Sequence, residues 1–103
     1  LTPGVPMKAK YTLLWAQLAL QDLKEIKKYI ARDNPAAAKK EAQKIKSKVL
    51  RLETFPHSGR ALTTIPGVRE VIADQYHVFY EVQGNKVIIL RVLHGKRNIP
   101  FLD

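Results

Sequence analysis

The 103-residue chain contains no cysteine, which excludes disulfide staples and thiolate metal sites and leaves a hydrophobic core to hold the fold. Histidine is scarce: His57, His77 and His94 stand 20 and 17 residues apart, with none of the local spacings that mark a zinc site. Neither a metal nor a cofactor is expected. No apolar run approaches the roughly 20 residues of a membrane span, and no signal-peptide pattern is present, so the expected location is cytoplasmic with no membrane partner. Acidic residues are few, 9 against 18 Lys and Arg, for a net charge of +9. That excess favours an acidic partner: DNA, RNA, the ribosome or an acidic protein segment.

What is present suffices for one small domain, because a second core would bury too little apolar surface at this length. The opening "LTPGVP" precedes the only methionine, Met7, and reads as a cloning scar over residues 1–6 ahead of a native domain over 7–103. Much of the positive charge lies in the helical part: residues 16–54 carry ten Lys or Arg against five Asp or Glu. Lys39, Lys40, Lys44, Lys46, Lys48 and Arg51 read first as the wet face of a helix.

The β-branched and aromatic stretch "KYTLLW" predicts a short strand. In "AQLALQDLKEIKKYIARDN", Ala19, Leu23, Ile26 and Ile30 recur at helical spacing. "DNP" stops that helix, with Asn34 placed to cap the next and Pro35 at its first position. Ala38, Ala42, Ile45, Val49 and Leu52 then form a narrow apolar stripe on a lysine-rich rod, so the two helices make an antiparallel hairpin. "PHSGRALTTIPG" predicts a loop carrying Arg60. Three strands follow, Val68–Ala73, Tyr76–Val82 and Val87–His94, joined through Asp74-Gln75 and Gly84-Asn85. The run "VIILRVL" reads as an internal strand, with the N-terminal strand able to pair along its free edge. The fold class is therefore α+β, in the order β-α-α-β-β-β, with a helical hairpin on a small, mainly antiparallel sheet.

Two-residue turns fix a register in which Val82 faces Val87, Tyr80 faces Ile89 and Val78 faces Arg91. One face then carries Val71, Tyr76, Val78, Tyr80, Val82, Val87, Ile89 and Leu93 with Arg69 and Arg91, and is expected under the helices. Glu53 and Asp22 are the conceivable partners of those arginines. The other face carries Glu70, Phe79, Leu90 and Val92 together with His77 and His94. A one-residue slip would exchange these assignments.

From Lys10 to Pro100 the chain resembles the ParE/RelE superfamily of bacterial type II toxins. The resemblance rests on the order and spacing of "DNPAAA", "FPHSGR", "VRE", "YHVFYEV" and "IILRVLHGKR". The closing "LRVLHGKR" is closer to the ParE branch, which poisons DNA gyrase and blocks replication, than to the RelE branch, which cuts messenger RNA on the ribosome. Of the basic residue, arginine and tyrosine typical of RelE-like nucleases, Arg97 matches, His77 is a partial substitute, and "NIPFLD" contains no tyrosine.

The resemblance thus implies a toxin that works by binding, with no catalytic residues. Its target surface, or the scaffold of that surface, would comprise Arg60, Arg69, Arg91, His94, Lys96 and Arg97. The alternative is a RelE-like endoribonuclease in which His77 or His94 transfers protons and Arg60 and Arg97 hold phosphate. The resemblance also implies a cognate ParD-like antitoxin, encoded beside the toxin and forming a hetero-oligomer with it. An acidic segment folding along the hairpin would set apolar anchors against Leu20, Leu23, Ile45 and Val49. A non-toxic nucleic-acid-binding module is disfavoured, since Tyr76, Phe79 and Tyr80 fall in core strands and form no exposed stacking platform.

Overall fold

A computed structural model describes residues 10–95. Its elements run β1 (Thr12–Trp15), α1 (Gln17–Ala31), α2 (Pro35–Leu50), a single 3₁₀ turn (Arg51–Glu53), β2 (Arg60–Ala61), β3 (Val68–Ala73), β4 (Tyr76–Gln83) and β5 (Lys86–His94). The expected α+β order is observed, with one addition, the two-residue strand β2. The strands form one sheet in the order β1-β5-β4-β3-β2, and β5 is internal as expected. β1 runs parallel to β5 and every other neighbouring pair is antiparallel.

The helical hairpin forms for the reasons its sequence suggests. Asn34 caps α2, its side-chain oxygen accepting the Ala37 N–H at 3.1 Å, with Pro35 at the first helical position, where a missing amide hydrogen costs nothing. Ala19 and Leu23 of α1, and Ala42, Ile45 and Val49 of α2, are buried against Val78, Tyr80, Val87 and Ile89 of the sheet. Small alanines at 19 and 42 keep the helices close to the sheet, while Ile45, Val49 and Leu52 supply volume. A fully buried side chain of that size contributes about 1.5–3 kcal/mol.

The predicted register holds at Val82↔Val87 and Tyr80↔Ile89, and then breaks. A β-bulge makes Leu90 an extra residue, so Arg91 lies opposite Phe79 and Val92 opposite Val78. A bulge adds one residue to one strand and shifts everything beyond it by one place. Three face assignments are corrected as a result. Val92 turns under the helices and is buried there, and Leu93 moves to the far face, where it packs beside Phe79 and Leu90. His94 lies opposite Tyr76 on the helix side, away from His77.

The far face is partly covered. Leu62 and Val68, at either end of the loop after β2, pack with Phe79 in a second small core. The turn before β2 is fixed from the sheet. The Tyr80 hydroxyl donates to Pro56 O at 2.8 Å and accepts from Gly59 N–H at 2.9 Å, while Arg69 donates to Gly59 O at 2.8 Å and to His57 O at 3.3 Å. These bonds place Arg60 at the start of β2, opposite Glu70.

Candidate functional site

The polar group with the least solvent exposure of its kind lies on the far face. Glu70 is only 5% exposed, the sole polar or charged residue buried among the described residues. One carboxylate oxygen accepts from the Arg60 guanidinium at 2.8 Å and the other takes a hydrogen bond from His77 Nδ1. Burial pushes the Glu70 carboxyl upward, but the hydrogen bonds from His77 and Arg60 outweigh it and hold the group below the usual carboxylate range. Its folded pKa is therefore below its unfolded value. Glu70 contributes stability above the ordinary carboxylate range that is lost as pH falls through the folded pKa. An acid-unfolding titration is expected to show this loss in the wild type and a flatter acid limb in Glu70→Gln.

Around Glu70 the strands build a small polar site. His77 stands beside it on β4, its ring stacked on Phe79 with centroids 6.2 Å apart and planes at 16°. With Nδ1 engaged by the carboxylate, the second ring nitrogen, Nε2, points towards Gly95. Gly95 N–H donates to Gln75 O at 2.8 Å, extending β5 past the hairpin turn. Arg60 remains well exposed, its side chain 61% accessible. A carboxylate-held imidazole can move a proton and an exposed guanidinium can hold an anion. Among the described residues no group of three or more His, Cys, Asp or Glu is arranged to hold a metal ion.

The helix side carries a different cluster. Asp22 of α1 accepts three hydrogen bonds: from Arg91 Nε at 2.7 Å, Arg91 Nη2 at 2.9 Å and the Val92 N–H at 2.9 Å. The bond from the Asp22 carboxylate raises the Arg91 pKa further, against a smaller opposing effect of burial. His94 packs edge-on against Tyr76 at 5.2 Å, and its Nε2 lies 2.8 Å from the Gln75 side-chain oxygen. Asp22, Arg91 and His94 line a cleft of about 800 Å³ between α1 and the ends of β4 and β5, together with Glu25, Tyr29 and Glu41.

The six residues expected to form a target surface are therefore not gathered in one place. Arg91 and His94 lie on the helix side, Arg60 on the far face, and Arg69 beneath the 56–59 turn, bonded to its carbonyls. Asp22 partners Arg91 as expected, whereas Arg69 uses backbone carbonyls and not Glu53. Lys96 and Arg97 lie outside the described residues. His77 and His94, the two alternatives for proton transfer in the nuclease reading, are on opposite faces because of the bulge. Of the expected antitoxin anchors, Leu23, Ile45 and Val49 are buried at 6%, 1% and 1% exposure, and only Leu20, at 52%, presents its side chain outward. Those three are spent in the core of the chain itself, since the stripe that predicted them is the stripe that faces the sheet. Sequence reasoning missed Glu70 as a site residue. Its partners come together only through β2, which sets Arg60 opposite Glu70, and through β4, which carries His77 beside it.

Comparison with known proteins converges on one family. The model for the ParE toxin of the type II toxin-antitoxin system, parDE, matches residues 13–99. The chain belongs to the ParE toxin family. It is 34% identical over 86 residues to Toxin RelE2 of Caulobacter vibrioides, an alignment covering 82% of this chain and 96% of that one. Among solved structures it is similar to a chromosomal ParDE TA system from P. aeruginosa, with TM-score 0.73 and 26% identity over 84% of this chain and 97% of that one. The isolated E. coli RelE toxin shares the fold, with TM-score 0.61 and 16% identity over 85% and 87% of the two chains. The protein is a ParE/RelE-superfamily toxin of the type II toxin-antitoxin class, built as two helices on a mixed five-stranded sheet. Among the described residues no helix is long and apolar enough to cross a membrane.

Proposed function

We propose that this ParE-family toxin acts by binding DNA gyrase, blocks replication without chemistry of its own, and is neutralised by a cognate ParD-like antitoxin in a cytoplasmic hetero-oligomer. The observation that carries this reading is the use of the arginines. Arg69 and Arg91 are committed to internal partners, Arg69 as scaffold for the 56–59 turn and Arg91 as scaffold for the end of β5. The grip on the target then falls to Lys96 and Arg97 just beyond that strand, with exposed Arg60 in support. The family match to parDE toxins and the likeness to the ParDE system of P. aeruginosa favour this branch.

The test is a supercoiling assay with purified gyrase and antitoxin-free protein, run beside an in vitro translation reaction probed for cut messages. Gyrase inhibition with intact messages is expected. Replacing both Lys96 and Arg97 with alanine is expected to weaken inhibition at least about tenfold, as for loss of charge-assisted contacts worth over 1.4 kcal/mol. Full toxicity of that double variant would overturn the assignment. The antitoxin is expected to bind through apolar contacts that include Leu20, so the complex should survive high salt.

A second reading has one observation in its favour. His77 is held by a buried carboxylate, as an acid–base residue would be. In that reading the toxin cuts messenger RNA on the ribosome, and cut messages with unaffected gyrase would be its signature.

A further inference from the structure

We infer that the outward face of α2 binds the phosphate backbone of duplex DNA through Lys39, Lys40, Lys46 and Arg51. Lys96 and Arg97, given the grip on gyrase above, form no part of this face, and DNA binding on it does not depend on that reading.

Burial fixes which way the helix faces. Ala38, Ala42, Ile45 and Val49 are its buried residues, whereas Lys39, Lys40, Lys46 and Arg51 are all exposed. With 3.6 residues per turn, Lys39 and Lys46 stand about two turns apart in one row, and Lys40 and Arg51 about three turns apart in another. Gln43 and Ser47, both exposed and neutral, lie between the rows. No carboxylate answers these cations. Glu41 is the only acid in α2, and it is spent on Lys44, which also meets Asp74 of the β3–β4 turn at 3.0 Å. Among the described residues none of the four cations forms an ion pair. A helix side that is merely wet mixes the two signs, as α1 does with Glu25 among Lys24, Lys28 and Arg32, because opposite charges three or four apart stabilise a helix and like charges destabilise it. In α2, Lys40, Lys44 and Lys48 follow one another at that spacing, a repulsion that an external polyanion relieves.

The form of the face selects the polyanion. At 1.5 Å per residue the cations from Lys39 to Arg51 span about 18 Å of rigid rod. Duplex DNA carries one charge per about 1.7 Å of its axis, with a major groove about 12 Å wide between its strands. Two rows on such a rod reach phosphates on both sides of the groove, where lysine and arginine form charge-assisted hydrogen bonds. Single strands are gripped by stacking their bases on aromatic rings, and α2 contains none. An acidic protein segment folding along this side would need apolar anchors. Leu50, at the end of the helix, is the only large hydrophobic side chain that α2 exposes. On the gyrase reading, the toxin would then be held on the same DNA as its target.

The test is fluorescence anisotropy of a labelled duplex, two helical turns long, titrated with antitoxin-free protein at salt from about 50 to 200 mM. The logarithm of the binding constant is expected to fall linearly with that of salt, with a slope of at least about 3 to 4 in magnitude for four phosphate contacts. Lys39→Gln, Lys40→Gln, Lys46→Gln and Arg51→Gln together are expected to weaken binding at the lowest salt at least about a hundredfold and to flatten the slope by about 3 to 4. Glutamine keeps helix propensity, and circular dichroism checks the fold. The pair Lys40→Gln and Arg51→Gln alone is expected to give about half of that change in slope. As a control, Lys24→Gln, Lys27→Gln, Lys28→Gln and Arg32→Gln remove the same charge from α1 and are expected to cost far less. Equal losses in the two fourfold variants would show attraction by net charge and overturn the assignment to α2, as would a wild type that binds no duplex at the lowest salt. Tighter binding of single-stranded DNA or of an RNA duplex of the same length would overturn the choice of duplex DNA. Displacement of the duplex by polyglutamate at the same charge concentration would give the face to an acidic protein and overturn it likewise.

Discussion

Asp22→Ala is expected to lower the unfolding free energy by about 2–4 kcal/mol, seen as a lower urea midpoint at unchanged slope. One carboxylate accepts three hydrogen bonds at the seam between α1 and β5, and only 14% of its side chain is accessible. Removing it strands the Arg91 charge beside the helix and leaves the Val92 N–H without its acceptor. Losing one partner of a fully buried pair costs about 3–5 kcal/mol. The Arg91 side chain, at 36% exposure, still reaches water, which brings the estimate down. Asp22→Asn keeps an acceptor for one or two donors and should cost less than alanine. A loss below about 1 kcal/mol in Asp22→Ala would mean that the contact is worth no more than a surface ion pair.

The same residue explains why the bulge persists. After Leu90 the ladder to β4 resumes one place out of step, and the strand there needs a fixed point. Asp22 provides it by binding both the side chain of Arg91 and the backbone of the next residue. Asp22 therefore links the pose of α1 to the course of β5 towards His94 and Gly95, which stay beside Tyr76 and Gln75. A substitution at Asp22 on α1 is thereby connected to the end of β5 through one carboxylate.

The two helices and three long strands were legible because each rests on a local signal. Spacing of three or four gave the helices, Asn34-Pro35 gave the break between them, and Gly84-Asn85 gave the hairpin. Asp74, at the other turn, adopts φ +55°, a left-handed conformation that aspartate accepts more readily than most residues. β2 was not legible, because two residues carry no alternation; it exists through the bonds that Tyr80 and Arg69 make to the preceding turn. The bulge was not legible either. In "VIILRVL" either register buries apolar side chains, and the choice was made by Asp22, 69 positions away from Arg91 in sequence. For the site, the important residues were visible one at a time, as with Arg60 and His77. Their junction through Glu70 depended on β2 and could not be read without it.

Ile45→Ala is expected to destabilise the chain by about 2–5 kcal/mol, the range for truncating a fully buried aliphatic side chain. At 1% exposure, between α2 and the sheet, Ile45 leaves a cavity that its neighbours cannot fill without moving the helix. Leu20, on the outer side of α1 at 52% exposure, gives the opposite expectation: Leu20→Ala should change stability by no more than about 0.5 kcal/mol. The two variants separate a core role from a docking role when each is followed by chemical denaturation and by antitoxin affinity at high salt. Weakened antitoxin binding with intact stability in Leu20→Ala would place the docking surface on α1. If Ile45→Ala instead kept full stability and lost only affinity, the buried stripe would have to open towards the partner. The packing speaks against that outcome, because Ile45 and Val49 meet Tyr80, Val87 and Ile89 in one continuous core. An antitoxin displacing them would have to replace the sheet that the hairpin exists to cover.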